Sequence, residues 1–162
     1  MTESTVSVGS RRLKLSNLDK VLYPEPGFTK AEVIDYYARI ADVMVRHTSG
    51  RCVTLRRWPD GVQGPDFFEK NCPKHRPDWV ETAKGPGRSR GDVHYCLLDE
   101  PAALVWTANL AALELHTPMA LAENLSNPRA CVFDLDPGPG TGIPECAGLA
   151  LEYHRPALAE QL

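Results

Sequence analysis

CVFDLDPGPGTG, residues 131–142, is the stretch on which the fold turns. An apolar run delivers two aspartates one residue apart, and Pro-Gly-Pro-Gly forces a turn directly after them. Read as a strand, the run sends successive side chains to opposite faces, so Asp134 and Asp136 share one face while Phe133 and Leu135 take the other. Two carboxylates one strand repeat apart, about 6 to 7 Å, repel each other unless a cation sits between them. Hard divalent ions such as Mg²⁺ or Mn²⁺ take oxygen ligands and commonly share them with substrate phosphates, which makes the pair a candidate metal and phosphate site. A solvated strand end capping the next turn would carry the same residues, and metal-dependent glycosyltransferases use such a pair too. The motif alone therefore does not choose a reaction.

A second pair lies upstream. Glu114 and His116 stand at i and i+2 in LELHTP (113–118), which alternates like a strand. The connection over 118–130 lets that strand lie antiparallel beside the Asp strand. A histidine there could donate to phosphate oxygens, although an ordinary partly buried histidine fits the same spacing.

Working outward, FTKAEVIDYYARIADVMVRHTSG (28–50) reads as the clearest helix. Thr29 can cap it, Glu32 completes a capping box, and Val33, Tyr37, Ile40, Ala41 and Met44 fall on one face before Gly50 ends it. RRLKLSNLDKVLYP (11–24) reads as a strand and a turn, and RCVTLRRWPDG (51–61) as a strand running into Pro-Asp-Gly. PDFFEKNCPKHRPDW (65–79) reads as irregular and ETAKGPGRSRGD (81–92) as an exposed loop; VHYCLLDE is a strand candidate. PAALVWTANLAAL is a helix with Pro101 at its first position, and a last helix opens at Pro144 and breaks at Pro156. Residues 1–10 read as a disordered N-terminus. Strands mixed with helices predict an α/β (α+β) domain, a mixed sheet with flanking helices, over 11–162.

Length and composition suit one soluble globular domain: 162 residues, 43% apolar and 24% charged, with no apolar run long enough to span a membrane. The first residues lack the pattern of a signal peptide, which predicts a cytoplasmic protein. The net charge of −3 conceals a polarity: residues 1–90 carry a balance of +5 and residues 91–162 one of −8. A basic half suits a polyanion and an acidic half with the Asp pair suits a cation. Five cysteines, an odd number at irregular spacing, favour a reduced protein. Cys72-x2-His75 before His94-x-Cys96 could also supply four zinc ligands.

With the Asp pair in place, five ordered segments carry a resemblance. KLSNLDKVLYP (14–24), TKAEVIDYYARIADVM (29–44), LRRWPDGVQGPDFFEK (55–70), LVWTANLAALELHTP (104–118) and CVFDLDPGPGTG (131–142) together resemble the polymerase domain of bacterial ligase D, a primase-polymerase of the archaeo-eukaryotic primase superfamily. The resemblance implies nucleotidyl transfer at 5′-phosphorylated DNA ends or gaps in double-strand-break repair by non-homologous end joining. It implies that Asp134 and Asp136 bind Mn²⁺ or Mg²⁺ activating a nucleoside triphosphate, and that Lys20 and Lys30, with Asn17 nearby, hold the 5′-phosphate. Phe67 and Phe68 would stack on template, with His116 beside the incoming nucleotide. Arg56, standing where the family often has lysine before Arg-Trp-Pro and keeping its charge, would join His116 in binding the nucleotide. Implied partners are a ligase chain, Ku, or a chain carrying the rest of the domain, in a nucleoid-associated cytoplasmic setting. The family domain is nearly twice this length and carries, downstream of DLDPG, a Ser-Gly-x-x-Gly-x-His segment and a third acidic residue. Neither occurs in 143–162, so the expectation is a partial domain with little polymerase activity of its own, or a non-catalytic module that recognises DNA ends.

Overall fold

The computed structural model describes residues 3–87 and 91–159. The chain divides into two compact units, Met1–Ala130 and Cys131–Leu162.

The first unit begins with a hairpin, where disorder was expected over 1–10. Strand β1 (Glu3–Val8) pairs antiparallel with β2 (Arg11–Ser16), and Gly9 makes the turn at φ 58°. The signal was present in the sequence: Thr5, Val6 and Val8 are β-branched, and Gly-Ser follows them as a two-residue connection. Val6 and Val8 pack against the core that β2 enters through Leu13 and Leu15. A short pair, β3 (Val21–Tyr23) with β4 (Phe28–Thr29), leads into helix α1 (Lys30–Thr48).

Helix α1 starts as its sequence dictates. The Thr29 hydroxyl accepts from the Glu32 N–H, and the Glu32 carboxylate accepts from the Thr29 N–H at 2.7 Å, which closes the capping box. Its apolar face, Val33, Ile34, Tyr37 and Ala41, is buried. Strand β5 (Thr54–Arg57) is the centre of a three-stranded antiparallel sheet between β6 (Phe67–Glu69) and β9 (Ala112–His116). β6 arises inside the segment that its prolines made look irregular. A hairpin of β7 (Thr82–Pro86) and β8 (Asp92–Cys96) occupies much of the expected exposed loop. Thr82–Pro86 and Asp92–Cys96 pair in a regular antiparallel ladder, while Arg88, Ser89 and Arg90 of the expected loop lie outside the described residues.

Helix α2 (Pro101–Asn109) is apolar all round, as a central helix must be, with Ala102 through Ala108 buried. It packs on α1, β1, β2 and β9. Leu22, Leu55, Leu98 and Leu104 are fully buried, each worth about 1.5 to 3 kcal/mol of apolar transfer. The Tyr37 hydroxyl donates to the Ala112 carbonyl at 2.8 Å and ties α1 to β9.

Cys72 and Cys96 form a disulfide, which corrects the expectation of a wholly reduced chain; Cys52, Cys131 and Cys146 are free. The bridge joins the segment after β6 to the end of β8.

The second unit holds helix α3 (Ile143–Ala159). It runs through Pro156 instead of breaking there, because a proline in the last turn removes one donor near an end where carbonyls are already unpaired. The Glu145 carboxylate accepts from the Gly142 N–H at 2.7 Å ahead of the helix, and Phe133 stacks on Tyr153 at 4.7 Å. Residues 131–136 form no strand, contrary to expectation. β9 pairs with β5, not with the Asp segment. Among the described residues no helix is long and apolar enough to cross a membrane.

Candidate functional site

The turn over residues 17–20 places one set of predicted residues. Asn17 adopts φ 54°, a left-handed conformation that asparagine tolerates better than most residues, and the Lys20 N–H closes the turn on the Asn17 carbonyl at 3.1 Å. The turn docks on the first turn of α1, where the Lys30 N–H donates to the Lys20 carbonyl at 2.7 Å and the Ala31 N–H to the Leu18 carbonyl at 3.0 Å. These bonds consume the free donors of the helix start, so an anion here must be held by side chains.

Asn17, Lys20 and Lys30 line one cavity of about 400 Å³, with Arg57, His75 and Asn109. Among the described residues no carboxylate lines it. Lys30 is 5% exposed, and its ammonium donates to the Ser16 carbonyl at 2.7 Å. Burial, followed by the nearby charges of Lys20 and Arg57, pulls its pKa from 10.5 down to about 8. Lys20 pairs with Asp60 at 2.7 Å and Arg57 with Glu69 at 2.7 Å. A buried ammonium without a carboxylate partner, crowded by two more cations, favours an anionic ligand that restores the balance. The larger apolar groove beside α1, about 540 Å³ and lined by Tyr36, Ile40, Met44 and Leu115, offers no charged group.

The three-stranded sheet aligns the second set. Register pairs Phe68 with Arg56 and Arg56 with Glu114, so a single face carries Phe68, Arg56 and Glu114 in a row. His116 lies next along β9, its Nε2 2.8 Å from a Glu114 carboxylate oxygen, and its ring is 5.3 Å from that of Phe68. Arg56 is ion-paired to Asp66 and Glu114, and its guanidinium lies over Trp58 at 4.7 Å and Phe68 at 5.1 Å. These partners hold the Asp66 and Glu114 carboxyls below their ordinary range: Asp66 chiefly through its hydrogen bond to Arg56, Glu114 chiefly through that to His116. Arg56 thus braces the row rather than offering a free cation.

Adjacent phenylalanines on an extended backbone point to opposite faces of the strand. Both are exposed, Phe67 by 43% and Phe68 by 56%. β6 is the edge strand of a small sheet, and the Arg57 guanidinium lies over the Phe67 ring at 5.2 Å. Each ring is accessible to a stacking base, Phe68 on the Arg56 face of the sheet and Phe67 on the opposite one.

Asp134 and Asp136 belong to the second unit, where both are exposed. Their oxygens are the hard donors a divalent ion takes, but among the described residues no cluster of three or more His, Cys, Asp or Glu side chains is set to hold a metal. The pair fits as part of a site that substrate phosphates and further ligands complete. The zinc reading fails: two of its four ligands, Cys72 and Cys96, are bonded to each other.

Residues 29–161 match the family described as LigD, primase-polymerase domain. The chain belongs to that family. It is 43% identical, over 89% of its length, to the multifunctional non-homologous end joining DNA repair protein LigD of Mycobacterium tuberculosis, and 30% identical, over 78%, to the bifunctional non-homologous end joining protein LigD of Bacillus subtilis. It spans 20% of each of those relatives. The polymerase domain of Mycobacterium tuberculosis ligase D, solved in complex with DNA, superposes with a TM-score of 0.64 at 45% identity, covering 67% of this chain and 37% of that one. The mixed α/β fold is that of the LigD polymerase domain, as the resemblance implied.

Sequence reading missed several neighbours in this LigD-family chain. Arg57 sits in the quoted LRRWPDG, and only register reveals that it faces away from Arg56 toward the cavity. Asn109 accepts from the Ser16 N–H at 3.1 Å and donates to the Lys14 carbonyl at 3.2 Å, fastening β2 beside the cavity. Nothing local to it signals that role.

Proposed function

We propose that this chain grips a 5′-phosphorylated DNA end and presents a template-stacking surface as part of an end-joining primase-polymerase. The observation that carries the reading is the carboxylate-free cavity holding the buried Lys30 ammonium with Lys20 and Asn17. A terminal phosphate offers the dianion such a cavity lacks, and charge-assisted hydrogen bonds to it are about twice as strong as neutral ones. Phe67 and Phe68 supply stacking worth about 1 to 3 kcal/mol per base, and His116 lies beside Phe68 to meet a nucleotide.

In a complete domain, Asp134 and Asp136 would hold Mn²⁺ or Mg²⁺, which lends charge to a nucleoside triphosphate during nucleotidyl transfer. In-line transfer wants several carboxylates around two metals, so the 162-residue chain by itself has little polymerase activity. Its setting is cytoplasmic, at DNA ends on the nucleoid, with a ligase chain, Ku, or a chain carrying the remainder of the domain as partner.

The test is binding to a duplex with a recessed 5′ end that carries either phosphate or hydroxyl. Clear preference for the phosphate is expected, and equal affinity would overturn the reading. Addition of nucleotides and Mn²⁺ then separates two versions of it: binding without extension favours a non-catalytic end-recognition module, as the acid-free cavity in the first unit stands without the Asp pair, whereas extension of a gapped substrate restores the enzyme reading.

A further inference from the structure

We infer that His75 is a further phosphate-binding residue of the Lys20–Lys30 cavity, presented there by a loop that the Cys72–Cys96 disulfide pins to β8. The inference rests on the reading of that cavity as a 5′-phosphate site.

Committed groups surround His75. Lys20 is paired with Asp60, Arg57 with Glu69, and the Lys30 ammonium with the Ser16 carbonyl. His75 also lines the cavity, is exposed, and its imidazole has no hydrogen-bond or ion-pair partner among the described residues. A ring nitrogen at the rim of a cation-rich cavity is a donor toward any phosphate that enters.

The loop is anchored on both sides of His75. Asn71 accepts from the His94 N–H at 3.0 Å, the Cys72 N–H donates to the His94 carbonyl at 2.7 Å, and the disulfide adds a covalent tie to Cys96. On the far side the Arg76 N–H donates to the Pro73 carbonyl at 3.0 Å, and the Arg76 guanidinium reaches the Val80 carbonyl at 3.0 Å. His75 stands between these anchors, three residues past Cys72. A tethered side chain loses less freedom on binding, so opening the bridge weakens phosphate capture through this residue. Reduction by a dithiol balances simply: the reagent becomes a cyclic disulfide while Cys72 and Cys96 each gain an electron and a proton.

The experiment measures affinity for recessed-end duplexes bearing 5′-phosphate or 5′-hydroxyl, and takes their ratio. His75→Gln is expected to lower the ratio roughly tenfold, the worth of one hydrogen bond to a charged group, and to reduce the steepness of the salt dependence by about one phosphate contact. His75→Lys is expected to restore it. Dithiothreitol, or Cys72→Ser with Cys96→Ser, is expected to lower the wild-type ratio but to leave that of His75→Gln unchanged. A wild type indifferent to the phosphate overturns the reading of the cavity itself. A phosphate-preferring wild type matched by His75→Gln overturns the role of His75 alone. Equal loss on reduction in wild type and His75→Gln overturns the tether.

Discussion

Lys30→Met separates stability from function, because the two respond with opposite signs. Lys30 is 5% exposed and its pKa falls from 10.5 to about 8, chiefly through burial and then through Lys20 and Arg57. A shift of that size is about 3 kcal/mol spent on keeping the ammonium charged in the folded chain. The sign follows from proton counts: between pH 8 and 10.5 the unfolded chain binds more protons than the folded one, so stability rises with pH across that window. Below pH 8 the full penalty stands. Methionine removes the penalty together with the bond to the Ser16 carbonyl, worth about 1 kcal/mol. The variant is therefore expected to be more stable than wild type by about 2 kcal/mol at pH 7, with the advantage gone by about pH 10.5. Its preference for 5′-phosphate over 5′-hydroxyl ends is expected to collapse. Wild-type phosphate affinity should itself weaken as pH rises above about 8, where Lys30 loses its proton. Urea unfolding at pH 7 and pH 10 and fluorescence anisotropy with the two duplexes make the measurement. A variant that is less stable at pH 7 and still prefers the phosphate would refute both the electrostatics and the assignment.

Other substitutions test neighbouring parts of the argument. Phe68→Ala is expected to cost about 1 to 3 kcal/mol of single-stranded template affinity with little change in melting temperature, since the ring is 56% exposed; a large loss of stability would mark it as core instead. Thr29→Ala opens the capping box of α1 and is expected to destabilise by about 1 kcal/mol in denaturant, without affecting phosphate discrimination except through folding. Cys72→Ser is expected to lower stability by about 2 to 4 kcal/mol under non-reducing conditions, and wild type in excess dithiothreitol should match it; no difference would mean that the bridge does not form in solution.

Much of the first unit was legible because its signals are local. Thr29, Glu32 and the Val33–Tyr37–Ala41 spacing specify α1 from both its start and its buried face, and Pro101 opens α2. β2 and β8 are strands as their sequences predict, whereas their partners β1 and β7 were not foreseen. β1 carries the β-branched Thr5, Val6 and Val8, whereas β7 is threaded through Lys84, Gly85 and Pro86, residues of low strand propensity that the ladder with β8 overrides. The cavity was legible only through resemblance. Lys20 and Lys30 stand ten residues apart, and what joins them is the docking of the 17–20 turn on the start of α1, a tertiary event. Arg57 and His75 arrive from farther still.

The Asp segment marks where alternation ceases to be enough. Phe133, Asp134, Leu135 and Asp136 have the period of a strand, yet a strand exists only with a partner ladder, and among the described residues this segment has none. The same physics bears on its chemistry. Two exposed carboxylates in water keep their hydration and attract a divalent ion weakly; the attraction grows only when a ladder fixes their spacing and neighbouring groups exclude water. Mn²⁺ titration followed by paramagnetic line broadening should therefore report weak binding that Asp134→Asn with Asp136→Asn abolishes. It should become tight only when a chain supplying further strands and a third carboxylate is added. Tight binding to the chain alone would mean that the pair is already organised, and the expectation of little activity without a partner would fall with it.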